Sequence, residues 1–333
     1  MSEILDREAA QATIPHSGPD AAGLPDPIRL VLPATSANLG SGFDAVGLAM
    51  GLTLTIDAMA LPAGGPLLTI EATGRNADRC SRTGDNLIFE TCREVLQRAG
   101  RPVLPLHLRI HNQIPLGMGC GSSAAARLAG VMLANHFGSL GWSHEARIAE
   151  ACHREGHPDN VAACALGYLT VSAVDASSPA VLTATCGEGL PWKLLLVLPL
   201  ESLPTEKARA LLPAQYSRAD VVSNVQRTSL LVAAFALGRG DLLRVAMQDR
   251  LHQPYRMEAC PLLRPLLPLA GTPGILGVAL SGAGPAVLLV VEPDAPIPEI
   301  VHRIRCEAED PSLEIVETGI GCGASQSLRV EPH

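Results

Sequence analysis

Between Pro115 and Ala126 the chain reads Pro-Leu-Gly-Met-Gly-Cys-Gly-Ser-Ser-Ala-Ala-Ala, with glycine at every second position from Gly117 to Gly121. Glycine has no Cβ, so its backbone takes positive φ readily and can approach a ligand closely. Successive free N–H groups of such a stretch converge on one point. The residues that follow predict a helix, with Ser122 and Ser123 placed to cap it. First-turn N–H groups of a helix lack internal partners, and the helix dipole adds positive charge beside them. Together these features suit a polyphosphate. A glycine loop that moves freely and binds nothing is the competing reading of this segment alone.

Two familiar phosphate loops are excluded by inspection. G-x-x-x-x-G-K-[ST] requires a lysine that reaches the terminal phosphates, and none stands between Pro115 and Ala126. The dinucleotide fingerprint requires an acidic residue about 20 residues downstream, at a strand end. That region here is Asn135-His-Phe-Gly138, which carries no carboxylate. The loop belongs to another nucleotide-binding design.

Composition narrows the partners. The 333 residues are 47% hydrophobic and only 3% aromatic, so a large interior must be built from Ala, Val, Leu and Ile. A net charge of −8 argues against a broad nucleic-acid surface. An acidic protein can still hold a nucleotide by focusing positive potential with amides, Mg²⁺ and a few arginines. The nine cysteines include no C-x-x-C pair, which speaks for a reducing compartment and against a disulfide framework or zinc site. Cys120, inside the loop, is read as a small apolar filler. The uncharged run ending at Val291 contains Ser281-Gly-Ala-Gly-Pro285, which would interrupt a membrane helix; two buried strands around a tight turn are expected. Residues 1–27 carry Glu3, Asp6, Glu8, Asp20 and Asp26 without an apolar core, and read as a loose extension rather than a signal or transit peptide. The expectation is a soluble, cytoplasmic protein with neither membrane nor nucleic acid as partner.

Strand-like alternation marks Leu52–Ile56 and Leu106–Ile110, and a short strand opens the structured chain at Ile28–Leu32. Helical spacing covers 86–99, the segment from the serines to about His136, and 143–155. Further helices are expected near 205–212, 217–237, 241–253 and 297–306, with strands at 193–198, within 275–291 and at 313–318. This order predicts an α+β protein of two mixed layers.

Two more segments share the loop's small residues. They are Pro33-Ala-Thr-Ser-Ala-Asn-Leu-Gly-Ser-Gly-Phe-Asp-Ala-Val-Gly-Leu48 and Gly277-Val-Ala-Leu-Ser-Gly-Ala-Gly-Pro-Ala286. Asn38 and Asp44 are polar residues in small, apolar surroundings; singly, each reads equally well as a structural turn residue. In this order and spacing the three segments resemble the GHMP kinase superfamily, over most of the chain from about residue 28. Within it, Pro-Ala-Thr-Ser-Ala-Asn-Leu-Gly-Ser-Gly-Phe-Asp is similar to the first motif of homoserine kinases. Mevalonate and diphosphocytidyl-methylerythritol kinases usually carry Pro-x-Lys there, and galactokinases Gly-Glu-His. Glu155-Gly-His-Pro-Asp-Asn160 and His252-Gln-Pro-Tyr-Arg256 are also similar to homoserine kinases.

The resemblance implies a GHMP kinase-like, two-layer α+β fold with a ribosomal-protein-S5-like N-terminal half and a ferredoxin-like C-terminal half. It places an ATP-binding domain over 28–190 and a second domain over 191–333. It implies ATP and Mg²⁺ as cofactors and L-homoserine as substrate, converted to O-phospho-L-homoserine in threonine biosynthesis, and it is compatible with a homodimer. The loop Pro115, Leu116, Gly117, Met118, Gly119, Cys120, Gly121, Ser122, Ser123, Ala124 and Ala125 would wrap the phosphates, with Asn86 near the adenosine. Glu155 and one loop serine, Ser122 or Ser123, look like Mg²⁺ ligands, hard oxygen donors of the kind this ion prefers. Ser123, Glu155 and Asn160 form the implied catalytic group. A carboxylate at the end of a helix is unfavourable, a penalty a metal would offset; a solvated helix-end carboxylate is the alternative for Glu155. Asp44 would hold the substrate ammonium, Arg209 and Arg256 its carboxylate, and Asn38 and Asn160 its hydroxyl. Arg250 competes with Arg256, and an exposed helix arginine is the alternative for Arg209. His157 and Asp159 stay open as proton acceptors, although a loose phosphoryl-transfer transition state needs little deprotonation of the nucleophile. Cys120 departs from the leucine these loops usually carry. Two rival readings remain: a kinase of another small alcohol or amino alcohol, and a non-catalytic nucleotide-binding regulator.

Overall fold

One long hairpin founds the structure. Strand β1 (Ile28–Asn38) alternates buried Ile28, Leu30 and Leu32 with more exposed residues, and strand β2 (Gly42–Ala60) pairs antiparallel with it from Ile28↔Ala58 to Asn38↔Gly42. The strand foreseen to stop at Leu32 therefore runs to Asn38. Its register shifts after Pro33, which cannot donate to the ladder, and the small, fully buried residues Ala34–Ala37 then pass beneath two helices. Reversal at Asn38-Leu-Gly-Ser uses positive φ at Asn38, Leu39 and Gly40. The computed structural model describes residues 24–175, 177 and 180–328.

The chain continues through β3 (Leu68–Gly74), α1 (Ala77–Cys80), α2 (Leu87–Arg98), β4 (Leu106–Asn112), α3 (Ser122–Phe137), α4 (His144–Glu155), α5 (Asp159–Leu166), β5 (Leu169–Val174) and β6 (Val181–Cys186). It then forms β7 (Lys193–Leu198), α6 (Thr205–Ala210), α7 (Arg218–Leu237), α8 (Leu243–Ala246), α9 (Gln253–Arg256), α10 (Leu263–Leu266), β8 (Ile275–Leu280), β9 (Val287–Val291), α11 (Ile297–Glu307), β10 (Glu314–Gly319) and β11 (Ser325–Ser327). The first sheet runs β11-β1-β2-β4-β3, with β5 on the far end of β2 and β6 beside β5. The second runs β10-β7-β9-β8, antiparallel throughout. Taken in chain order this is strand order 4-1-3-2 of a β-α-β-β-α-β unit, the ferredoxin-like arrangement. The last strand returns to pair with β1, so the closing segment belongs to the first sheet.

Besides the short α1, α9, α10 and β11, three strands and one helix of six residues or more escaped the sequence reading. Strand β6 is mostly exposed on both faces and so lacks the alternation that betrays a half-buried strand, and β3 and β5 alternate only weakly. Helix α5 is buried from Asp159 to Ala165, so it has no polar face. The single helix expected over 241–253 is broken instead. The fully buried Asp249 carboxylate accepts from the backbone N–H of Leu251, His252 and Gln253 at 2.9, 2.8 and 2.6 Å, and from Asn224 Nδ2 at 2.9 Å. Such local bonds compete directly with helix continuation. The turn places His252 so that Nε2 donates to the Gly40 carbonyl at 2.8 Å, across the two halves. Asp249→Ala is expected to lower stability by about 3 kcal/mol, since several charge-assisted bonds are lost and their donors stay buried. Urea midpoints at constant m-value measure it; a change under about 1 kcal/mol would mean packing alone holds the turn.

The strand–turn–strand at 275–291 is present as β8 and β9, around Ser281–Ala286. All nine cysteines are unpaired thiols. Among the described residues, no helix is long and apolar enough to cross a membrane. Of the extension read over residues 1–27, residues 1–23 lie outside the described residues. The remainder is anchored: Leu24 packs on the main core, and the Asp26 carbonyl accepts from His136 Nε2 at 2.7 Å.

Candidate functional site

The glycine loop forms a wall between two clefts. Gly117, Gly119 and Gly121 have φ of 74°, 75° and 69°, the left-handed region that favours glycine. Gly121 itself occupies the N-cap of α3, and Ser122 and Ser123 are the first two helical residues, without a side-chain cap bond. The serines were expected to cap; instead they leave the first-turn amides open toward the loop. A cleft of about 190 Å³ on one side is lined by Asn38, Asp44, Glu155, His157, Asp159, Asn160, Arg209 and Arg256. On the other side, a cleft of about 290 Å³ has aliphatic walls from Ile88, Ile110, Ile114 and Leu116, with Asn86, Arg79 and Arg82 at its rim. Gly117, Ser122 and Ser123 line both.

Several loop residues hold the wall rather than face a cleft. Ala124 and Ala125 are fully buried in the core under α3. Cys120 is buried, with its thiol pushed up to about 12 by burial, an inert filler at the position that departs from leucine. Its carbonyl accepts from Thr35 N at 3.1 Å, and the Gly119 carbonyl accepts from Ser281 Oγ at 2.8 Å. Asn86 caps α2, its Oδ1 accepting from Phe89 N at 3.2 Å, and so reaches the second cleft from a fixed helix end.

In the first cleft, Ser123 Oγ donates to Glu155 Oε1 at 2.5 Å and Arg127 Nε donates to Glu155 Oε2 at 2.7 Å. The serine that meets Glu155 is thus Ser123, not Ser122. Glu155 sits at the end of α4, and Arg127 supplies the positive charge that offsets the unfavourable dipole there. No metal is needed for that balance, although two hard oxygens side by side remain suited to Mg²⁺.

Opposite them, Arg209 Nη1 and Nη2 grip Asp44 Oδ2 and Oδ1 at 3.0 and 2.7 Å. Asp44 has φ +53°, and its N–H donates to Asn38 Oδ1 at 3.0 Å, while Asn38 Nδ2 donates to the Gly282 carbonyl at 2.9 Å. Arg256 is only 1% exposed; its Nε donates to the Ala208 carbonyl at 3.2 Å and its Nη1 to His252 Nδ1 at 3.0 Å. Burial and the Arg209 charge lower its pKa, but a guanidinium stays cationic. Both guanidiniums lie over the Phe43 ring, at 5.9 and 5.7 Å. Arg250, the competing candidate, pairs with Asp220 at 3.2 Å and lies outside this cleft.

Thr35 Oγ1 donates to Asn160 Oδ1 at 2.7 Å. Asp159 Oδ1 accepts from Asn160 N at 2.7 Å, from Asn160 Nδ2 at 3.3 Å and from His157 Nδ1 at 2.5 Å. Ligand atoms of Asp44, His157 and Asp159 lie within 4.8 Å of one another, but Asp44 is engaged by Arg209 and His157 by Asp159, a charge network already satisfied from within. Burial opposes charging of His157, yet the Asp159 bond and charge outweigh it and raise the pKa above its ordinary value. A group whose pKa rises on folding stabilises most at low pH and loses that contribution as pH climbs through the folded value. The stability gap between wild type and His157→Gln should therefore shrink from about pH 6 to about pH 9. Urea titrations across that range test it, and a gap that widens with pH would refute the assigned charge pair.

Sequence reasoning missed Thr35, Phe43 and Arg127. Thr35 stands inside the quoted Pro-Ala-Thr-Ser-Ala-Asn segment and Phe43 beside Asp44. Arg127 follows Ser123 by four residues, on the same helix face.

Residues 86–168 match the GHMP kinases N terminal domain and residues 231–310 the GHMP kinases C terminal domain. The chain is 47% identical over 266 residues to the homoserine kinase of Solibacter usitatus, covering 79% of this chain and 85% of that one. It belongs to the homoserine kinase family of the GHMP superfamily. The Synechococcus homoserine kinase is 38% identical over 271 residues, covering 80% and 86% of the two chains. A solved homoserine kinase from Cytophaga hutchinsonii superposes with a TM-score of 0.76 over 91% of this chain and 98% of that one; at 22% identity this is a likeness of fold. As a member of the homoserine kinase family the chain is an ATP-dependent phosphotransferase with an alcohol as acceptor.

Proposed function

We propose that this chain transfers the γ-phosphoryl group of ATP to the side-chain hydroxyl of L-homoserine, with Mg²⁺, giving O-phospho-L-homoserine. The observation that carries the reading is the charge pattern of the first cleft. Asp44 faces two guanidiniums, Arg209 and Arg256, and this is the complement of an amino-acid zwitterion. The names of the relatives support the same substrate.

The residues fit both cofactors. The aliphatic cleft beside Asn86 accepts a flat base, and three positive-φ glycines followed by uncapped helix amides suit its phosphates. Ser123 and Glu155 would hold Mg²⁺, with Ser122 adjoining. When bound, MgATP supplies the transferable phosphoryl group and the divalent charge that neutralises it. The chain does the rest by placement. Amides of Gly117–Ser123 hold negative charge at the wall, Asp44 takes the substrate ammonium, and Arg209 and Arg256 take its carboxylate. The hydroxyl then meets the wall beside Asn160. Asp159 is buried and its Oδ1 already accepts three N–H groups, so alignment rather than proton abstraction carries the step.

An ADP-release assay across L-homoserine, L-homoserinol, L-serine, mevalonate and galactose tests the proposal. Turnover is expected with L-homoserine at least about 100-fold above every other acceptor, since homoserinol leaves two arginines without their anion. Equal rates for homoserinol and homoserine would overturn the carboxylate reading. ATP binding without ADP release in any arm would favour a regulator.

A further inference from the structure

We infer that Thr35 is a positioning residue for phosphoryl transfer: its hydroxyl fixes the Asn160 carboxamide so that Asn160 offers an N–H, not its oxygen, to the acceptor hydroxyl. This rests on the proposed reading of Asn160 as the group facing that hydroxyl. Three observations carry it. Thr35 is fully buried on β1, and its Oγ1 donates to Asn160 Oδ1 at 2.7 Å across 125 residues of sequence. Asp159 settles the amide's orientation, because a carboxylate can only accept; its Oδ1 takes bonds from Asn160 N and Nδ2, so the amide nitrogen lies on the Asp159 side and the oxygen on the Thr35 side. One Nδ2–H goes to Asp159 and the second remains for the cleft that Asn160 lines. The third observation is the slot itself. A Cβ on Gly121 would sit 1.8 Å from Thr35 Oγ1 and 3.1 Å from Asn160 Oδ1, so glycine there admits the hydroxyl as well as the turn.

Thr35 also ties the two substrate sites together. Its backbone N–H holds the Cys120 carbonyl at 3.1 Å, which is part of the phosphate wall, while its side chain holds the amide on the acceptor side. One residue thereby sets the spacing between donor and acceptor, and sub-ångström errors in that spacing are costly to rate.

Four variants test this: Thr35→Val, Thr35→Ser, Asn160→Ala and the double Thr35→Val/Asn160→Ala. Valine keeps the shape and removes the hydroxyl. It is expected to lower kcat about 30-fold, with KM for L-homoserine and calorimetric affinity for MgATP within about threefold of wild type. Serine restores the hydroxyl and should recover kcat to within about threefold. In the Asn160→Ala background, adding Thr35→Val should cost less than about threefold, because its effect passes through the amide already removed. The inference is overturned if valine costs the same factor in both backgrounds, if serine fails to rescue a folded enzyme, or if valine leaves kcat unchanged. If wild type itself gives no ADP with L-homoserine, the proposed function falls and takes this inference with it, a result told apart from the others by the wild-type arm alone.

Discussion

Gly119→Ala is expected to lower kcat/KM for ATP by about 500- to 1,000-fold while leaving a folded protein. Two costs combine. Gly119 holds φ +75°, where an alanine is strained by about 1 kcal/mol, a factor of only about 5 to 10. The steric cost is larger and decides the outcome. A Cβ there would lie 2.0 Å from the Ser281 carbonyl oxygen and 2.9 Å from that of Gly284, both backbone atoms of the turn on which the wall is docked. Neither can rotate away, so the wall must shift by an ångström or more, and displacement on that scale costs about 10²-fold in rate by itself. Gly117→Ala separates the terms. It has the same φ strain, at +74°, but its Cβ would meet only the Ser202 side chain, at 3.2 Å. About a tenfold loss is expected there. Gly84→Ala, with open space around its Cβ, should be neutral. Steady-state kinetics and MgATP calorimetry on all three give the answer. Affinity in Gly119→Ala within about threefold of wild type would show that the wall does not hold the nucleotide.

What could be read from the letters was what local rules govern. The glycine wall, the helix behind it and the alternating strands declare themselves within a few residues, because φ, capping and side-chain period are local properties. Where the reading failed locally, a local signal was masked. Helix α5 has no polar face to show its period, and Asp249 broke a helix whose apolar spacing looked continuous. The site is different in kind. Thr35 meets Asn160 across 125 residues and Asp44 meets Arg209 across 165. Nothing near either residue announces its partner. Resemblance brought Asn38, Asp44, Glu155, Asn160, Arg209 and Arg256 onto one list, and the fold brings them to one cleft. Their pairings came only from the structure: Arg127 rather than a metal answers the α4 dipole, and Arg209 rather than an ammonium faces Asp44.

That last pairing leads to the second large effect. The Asp44–Arg209 pair is bidentate, but its side chains are 33% and 36% exposed, and a pair so placed contributes less than about 1 kcal/mol. A zwitterionic substrate can therefore part the two groups at small cost, presenting its ammonium to Asp44 and its carboxylate to Arg209. Each new contact is charge-assisted in a cleft from which water is being displaced, worth about 1.5 to 3 kcal/mol. On the proposed reading the exchange would favour binding, with the buried Arg256 cation as a second partner for the carboxylate. Arg209→Ala is accordingly expected to raise KM for L-homoserine about 100-fold and to change kcat by less than about fivefold, since the phosphate wall is untouched. Asp44→Asn should act on the same parameter, because it removes the ammonium partner and leaves two guanidiniums facing each other. The variant should also lose selectivity: wild type is expected to favour homoserine over homoserinol by about 100-fold or more, and Arg209→Ala by less than about tenfold. Kinetics with the two acceptors, at one ionic strength, measure both quantities. A KM within about threefold of wild type in Arg209→Ala would leave the carboxylate to Arg256 alone and make Asp44–Arg209 a structural ion pair.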